Sequence, residues 1–276
     1  MRVAALQMVS TADLEKNLQQ AAGLVQQAAE QGATLLLLPE NFALLESAGL
    51  LELAHTDSRQ QQIHATLADW SRCYGITVVA GSLPVARRPD GSFVQNRVRA
   101  RCLVFDPQGN LQASYDKIHL FDVDVADAQG SYRESDLIEP GETLQVVKLD
   151  RFSLGLSICY DLRFPELYQR LREQGADLLM MPAAFTYATG EAHWECLIRA
   201  RAIETQSYML AANQGGCHSK TRRTWGHSMI VDPWGRILAE QIEDGPGVVV
   251  ADLDPALVRQ CRTQMPLLDH RNQAGC

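Results

Sequence analysis

The sequence has no apolar run approaching the roughly 20 consecutive residues that a membrane-spanning helix needs. Its start, Met1 to Leu6 followed by the polar Gln7, is too short for the apolar core of a secretory signal. A membrane span and export are therefore not expected, and the cytosol is the expected compartment. A basic surplus is also missing: 25 Lys and Arg stand against 33 Asp and Glu, a net charge of -8. That balance argues against a broad footprint for nucleic acid or an anionic membrane, while leaving room for a local basic pocket. The seven cysteines, Cys73, Cys102, Cys159, Cys196, Cys217, Cys261 and Cys276, are odd in number and show no CxxC spacing. Neither a disulfide framework nor a zinc site is expected from them. No Ser/Gly-rich linker or low-complexity tract divides the chain, so one domain over 1–276 is expected.

What is present is an alternation of strands and helices. Residues 3–8 read as a buried strand. After Ser10 and Thr11, both able to cap a helix, Leu14, Leu18, Ala21, Ala22, Val25, Ala28 and Ala29 recur at helical spacing. Gly32 suits a left-handed stop, and the apolar run 35–39 is typical of a strand covered on both faces. Further strands are expected over 76–80, 99–105, 112–116, 154–158, 208–212 and 248–253, with helices near 61–73, 165–173 and 192–205. Asp254 and Pro255 open a last helix as cap and first residue. The phrase Glu30-Gln31-Gly32-Ala33, leading into leucines and Pro39, recurs as Glu173-Gln174-Gly175-Ala176 leading into Leu178 and Pro182. Chance is one account of so short a phrase; the other is a sandwich of two similar halves.

Three residues in this pattern carry chemistry. Cys159 stands where a strand gives way to a turn and a helix, a place that exposes a side chain to substrate and offers backbone N–H groups to an oxyanion. A free thiol of pKa about 8.5 is mostly protonated at neutral pH, so a nucleophilic role needs a cation or a base nearby. Lys117, at the end of the strand 112–116, can be that cation, lowering the thiol pKa by about one to three units at contact distance or donating to an oxyanion. Glu40, immediately after Pro39, lies at the carboxyl edge where open α/β sheets place ligands and can serve as general base. Its counterpart in the repeat is Ala183. Packing of Cys159 in the core, solvation of Lys117 and capping by Glu40 are the ordinary alternatives.

Together, Leu38-Pro39-Glu40, Tyr115-Asp116-Lys117-Ile118-His119 and Ile158-Cys159-Tyr160-Asp161-Leu162-Arg163-Phe164-Pro165-Glu166 resemble, in order, the three signature segments of the nitrilase superfamily. The resemblance covers essentially the whole chain. It implies an α/β fold, a four-layer αββα sandwich with an internal pseudo-twofold, paired through outer helices into a homodimer or larger homo-oligomer. It implies a hydrolase acting on carbon-nitrogen bonds through a cysteine thioester, with no metal and no organic cofactor. It further implies that Glu134 positions Lys117 and the substrate amide, and that Lys117 and the backbone N–H of Tyr160 hold the oxyanion.

The stretches 189–206 and 226–235 are most similar to the deaminated glutathione amidase branch, while ω-amidases, other amidases or carbamoylases of the superfamily and a catalytically silent scaffold remain alternatives. The implied substrate, 2-oxoglutarate in amide linkage to Cys-Gly, carries two carboxylates and calls for basic partners. Arg163, Lys220, Arg222 and Arg223 are the candidates, the last three from a basic island that is otherwise an ordinary solvated loop. Selectivity is expected to rest on the loops 124–136 and 215–225. His119 and His227 read as packed structural residues, with a Cys-His hydrolase as the competing account.

Overall fold

Two six-stranded sheets lie face to face, and one succession of elements builds both. The computed structural model describes residues 1–127 and 129–272. Its first half runs β1 (Arg2–Gln7), α1 (Leu14–Glu30), β2 (Leu35–Leu37), α2 (Ser47–His55), α3 (Asp57–Tyr74), β3 (Thr77–Val85), β4 (Arg99–Phe105) and β5 (Leu111–Asp116). A small hairpin, β6 (Asp122–Asp124) and β7 (Ser131–Arg133), follows. The second half runs β8 (Val146–Lys148), β9 (Ser153–Leu156), α4 (Pro165–Glu173), β10 (Leu178–Ala183), α5 (Tyr187–Thr205) and β11 (Tyr208–Asn213). After the hairpin β12 (Gly215–Cys217) and β13 (Arg223–Trp225) come β14 (Met229–Val231) and β15 (Ile237–Glu240). Then β16 (Gly247–Asp252) returns to the first sheet, followed by α6 (Pro255–Gln264) and α7 (Leu267–His270).

The sheet orders are β16-β1-β2-β3-β4-β5 and β8-β9-β10-β11-β14-β15. In both, an antiparallel pair is followed by two parallel pairs and two antiparallel ones. The repeated phrase is therefore the local mark of a repeated half. Side chains alternate across each strand: Val3, Ala5, Leu35 and Leu37 enter the core between the sheets, while Ala4, Leu6, Leu36 and Leu38 face the outer core shared with α1 and α3. That double burial explains the run of four leucines, each worth about 1.5–3 kcal/mol when fully removed from water. The result is the four-layer αββα sandwich. Among the described residues, no helix is long and apolar enough to cross a membrane. The six described cysteines are free, and Cys276 lies outside the described residues.

The cap of α1 is a correction. Asp13, not Ser10 or Thr11, accepts the N–H of Lys16. Ser10 is instead buried, its hydroxyl donating to the Phe42 carbonyl at 2.9 Å. The helix α5 also begins earlier than its apolar spacing indicates, because Thr186 caps it by accepting from the Thr189 N–H. The expected strand 154–158 ends at Leu156, since the chain turns sharply before Cys159.

Candidate active site

The side chains of Glu40, Lys117 and Cys159 follow strand ends, and close backbone packing holds the first two ends. Beyond β2, Leu38 still donates to Val79 O at 2.9 Å, and β3 then passes directly beneath Pro39. Only a glycine fits there: a Cβ on Gly81 would stand 1.9 Å from the Pro39 carbonyl oxygen. Glu40 is turned inward over that crossing, and its own carbonyl accepts from Gln214 Nε2 at 3.0 Å. Lys117 continues the line of β5. Its N–H donates to Ala100 O at 3.0 Å and its carbonyl accepts from Gly141 N at 2.7 Å, with Gly141 so close that a Cβ would lie 2.2 Å from Asp116 O.

Cys159 opens a 3-10 turn, Cys159–Arg163, with a backbone φ of 47°. For a residue with a Cβ, the left-handed region costs on the order of 1 kcal/mol, so the surroundings must hold it. Asp161 does so. Its fully buried carboxylate accepts from Ile158 N at 2.9 Å and Tyr115 Oη at 2.7 Å, and from His119 N at 3.0 Å and His119 Nδ1 at 2.7 Å. One side chain thus fastens the residue before Cys159 to both flanks of Lys117. Because a carboxylate only accepts, Nδ1 is the protonated nitrogen of His119, and its ring lies flat against Phe164 at 3.6 Å.

The side chains converge on one cavity of about 120 Å³, lined by Glu40, Lys117, Glu134, Cys159 and Tyr160 among others. Lys117 Nζ donates to Glu40 Oε1 at 2.8 Å and to Glu134 Oε1 and Oε2 at 2.8 and 2.9 Å, while Glu134 Oε2 also accepts from Phe121 N at 2.7 Å. Burial disfavours charge on Lys117, but Glu134 and Glu40 together hold its ammonium well above the ordinary lysine range. Burial pushes the Glu134 carboxyl up, and the Lys117 charge opposes that push. The thiol of Cys159 is raised well above its usual value, first by burial and then by the Glu40 charge; Lys117 and the Ala184 N–H pull the other way and lose. Lys117 thus lowers the thiol pKa, as expected, but burial and the Glu40 charge outweigh it. The resting sulfur is a thiol beside an ammonium and a base.

Of the four basic candidates, Arg163 and Arg222 line the cavity, whereas Lys220 and Arg223 are absent from its described walls. Lys220 is exposed, and Arg223 is engaged with Asp244 at 2.8 Å and with the Tyr187 ring at 4.0 Å. No carboxylate of the described residues comes within ion-pair distance of Arg163 or Arg222. Arg133, which was not singled out in the sequence, also lines the cavity but pairs with Asp124. His227 is engaged elsewhere, bonded to Glu240 at 2.6 Å and stacked on Trp225 at 4.4 Å, and neither it nor His119 lines the cavity. Among the described residues, no group of three or more His, Cys, Asp or Glu is placed to hold a metal ion.

Sequence reasoning missed the tie made by Asp161 and the hold of Gln214 on Glu40. A signal existed for the first, an acid inside a largely apolar segment two residues past Cys159. None existed for the second.

A strand-end carboxylate, lysine and cysteine on an αββα sandwich define a cysteine hydrolase of carbon-nitrogen bonds. The carbon-nitrogen hydrolase family model matches residues 2–263, and the chain belongs to that family, within the nitrilase superfamily. It is 42% identical over 268 residues to the deaminated glutathione amidase of Yersinia enterocolitica, covering 97% of this chain and 92% of that one. Its fold is similar to that of Saccharomyces cerevisiae Nit3, a member of branch 10 of the nitrilase superfamily, with a TM-score of 0.85 and 27% identity over 100% of this chain and 97% of the other. It is also similar to an amidase from Nesterenkonia sp. AN1, in a glutamine-for-glutamate mutant whose active-site cysteine carries a Michael adduct of acrylamide; there the TM-score is 0.78 and the identity 28%, over 96% of this chain and 98% of that chain.

Proposed function

We propose that the chain hydrolyses deaminated glutathione to 2-oxoglutarate and Cys-Gly through a thioester on Cys159. The observation that carries this reading is the ammonium of Lys117, set 2.8 Å from both Glu40 and Glu134 in the cavity onto which Cys159 opens. Glu40 takes the thiol proton as the sulfur attacks the amide carbon. The oxyanion of the tetrahedral adduct is met by Lys117 and the Tyr160 N–H, which stands at the unpaired start of its turn. Glu40, now an acid, gives its proton to the departing nitrogen, and the carbon-nitrogen bond breaks. Water enters and loses a proton to Glu40 as it adds to the thioester; collapse expels the sulfur, which recovers that proton, and releases the carboxylic acid. Glu134 keeps Lys117 charged and fixed throughout.

The half-buried guanidinium groups of Arg163 and Arg222 support an anionic substrate, since a desolvated cation without a carboxylate partner favours a ligand that supplies one. The 42% identity with a deaminated glutathione amidase points to the same molecule. A reducing cytosol suits a thiol enzyme, and pairing through the outer helices into a homodimer belongs to the same reading.

Intact-protein mass spectrometry during turnover of deaminated glutathione tests it. The expected species is a 2-oxoglutaryl thioester on Cys159 that is lost in Cys159→Ala, together with a fall in turnover of about 10⁴-fold or more. Turnover retained by pure, folded Cys159→Ala protein would end the reading.

A further inference from the structure

Arg163 and Arg222 reach the cavity from different walls. Arg163 belongs to the same turn as the nucleophile; its guanidinium lies 5.8 Å from the Tyr160 ring centre and 5.3 Å from that of Phe185, with Nη1 3.2 Å from His193 Nδ1. Arg222 sits at the tip of the β12–β13 hairpin, and that tip is braced. Its carbonyl accepts from His218 N at 2.9 Å, and its N–H donates to Ser219 Oγ at 3.1 Å. His218 Nδ1 faces the Ser10 carbonyl at 2.7 Å and must donate to it, so Nε2 accepts from the Thr224 hydroxyl at 2.6 Å. Burial keeps that imidazole neutral, with its pKa lowered to about 4.

The brace ends on the wall of the base. Ser10 Oγ donates to Phe42 O at 2.9 Å and accepts from Gln214 Nε2 at 2.8 Å, and the same Gln214 nitrogen donates to Glu40 O at 3.0 Å. His218, Ser10 and Gln214 thus join the loop of Arg222 to the segment Glu40 to Phe42, while Arg163 is joined to Cys159. Meanwhile Arg223 is held outside by Asp244, which leaves its neighbour as the loop cation that enters the cavity.

We propose that Arg222 recognises a carboxylate on the leaving amine, and that Arg163 serves the acyl half. The inference rests on the thioester reading above: Glu40 protonates the departing nitrogen, so the amine leaves along the wall of Glu40, the wall to which Arg222 is tied. The substrate class is then an amide whose leaving amine is itself an acid, such as an amino acid or a dipeptide. An amide that releases only ammonia leaves Arg222 unanswered.

Two synthetic substrates isolate the effect, the 2-oxoglutaryl amides of glycine and of glycinamide, which differ only in the charge on the leaving amine. For the wild type, kcat/KM is expected to favour glycine by about 10- to 100-fold, the usual value of one charge-assisted contact. Arg222→Gln removes that preference, Arg222→Lys retains most of it, and Arg163→Gln lowers both rates while leaving the ratio standing. Wild-type turnover with no preference, or a preference that survives Arg222→Gln, rejects the inference alone. Turnover of neither amide by the wild type rejects the thioester reading, and the inference with it.

Discussion

The two halves of the molecule repeat one plan and diverge where the chemistry lies. Val3 pairs with Leu35 as Leu154 pairs with Leu178, so the shared register sets Met8 opposite Cys159 and Glu40 opposite Ala183. Met8 is sealed in the core, bridged to Gln214, and its carbonyl accepts from Gly215. Cys159, at the equivalent strand exit, is thrown into the left-handed region and onto the cavity. Conversely, the first half keeps a carboxylate where the second has a methyl group. A duplicated scaffold thus places two strand exits against each other, and each half supplies what the other lacks. The lesson is that symmetry builds the cleft and its local breaking sets an acid and a thiol within it.

Removing the charge that sets the halves apart should break the site. In Glu40→Gln the amide keeps the shape and cannot carry protons, so kcat/KM for deaminated glutathione is expected to fall about 10²- to 10⁴-fold. The variant also sharpens the electrostatics. Burial and the Glu40 charge raise the Cys159 thiol; with that charge removed, thiolate formation becomes easier and the thiol titrates at lower pH. Alkylation by a small reagent, followed against pH, should shift downward relative to the wild type. An unchanged rate with substrate would deny Glu40 its role as proton carrier.

A smaller effect is expected at Asp161, the clasp between the halves. Its Oδ1 takes two donors from His119 and its Oδ2 takes Tyr115 Oη and Ile158 N. In Asp161→Asn one of those pairs meets an NH2 group, so two donors lose their acceptor. A displacement of the nucleophile by about 1 Å can cost up to about 100-fold in rate; kcat is expected to fall about 10- to 100-fold with little change in KM. Tyr115→Phe, which removes one donor of four, should cost less. Equal losses in KM and kcat, or a loss only of thermal stability, would mean that Asp161 merely supports the fold.

Much of this arrangement was legible in the sequence, for a physical reason. The strand 35–37 and the residues around 154 and 178 are buried on both faces, which forces continuous apolar runs, and the polar residues that interrupt such runs at strand exits are few. Glu40 and Cys159 follow such runs, whereas Lys117 follows the polar, half-exposed strand 111–116 and was legible only through its signature segment. The state of the thiol was not legible, because it depends on burial and on Glu40, which is far away in the chain. Nor was the choice of Arg222 over Lys220 and Arg223, which is made by His218 gripping Ser10 and by Asp244 holding Arg223. The helix α2 was missed because only Leu53 and Ala54 of its residues are buried, too few to leave a clear stripe.

The halves differ also in how their outer strands are fastened, and acid should expose this. Beside Lys117, β4 and β5 carry an ionic lattice: Arg99 and Arg101 meet Asp116 at 3.2 and 2.5 Å, while Arg88 and Arg99 meet Glu139 at 2.7 and 2.5 Å. The equivalent strands β14 and β15 read Met229, Ile230, Val231 and Ile237, Leu238, Ala239, Glu240, with Glu240 as their one charged residue, bonded to His227. Hydrogen bonds from Arg88, with Arg99 adding to them against the cost of burial, hold the Glu139 carboxyl down at about 2 from an ordinary 4.5. A carboxylate whose folded pKa is depressed stabilises the fold above its unfolded pKa and loses that contribution as pH falls through the folded one. The window is therefore pH 4.5 down to about 2. Discounted for solvent screening, the contribution is about 1–2 kcal/mol, a shift of about 2–4 °C in Tm for each kcal/mol. Glu139→Gln should melt a few degrees below the wild type at pH 7, and the gap should close as both are acidified across that window. A gap of constant size from neutral pH to about pH 2 would show that the lattice holds by shape rather than by charge.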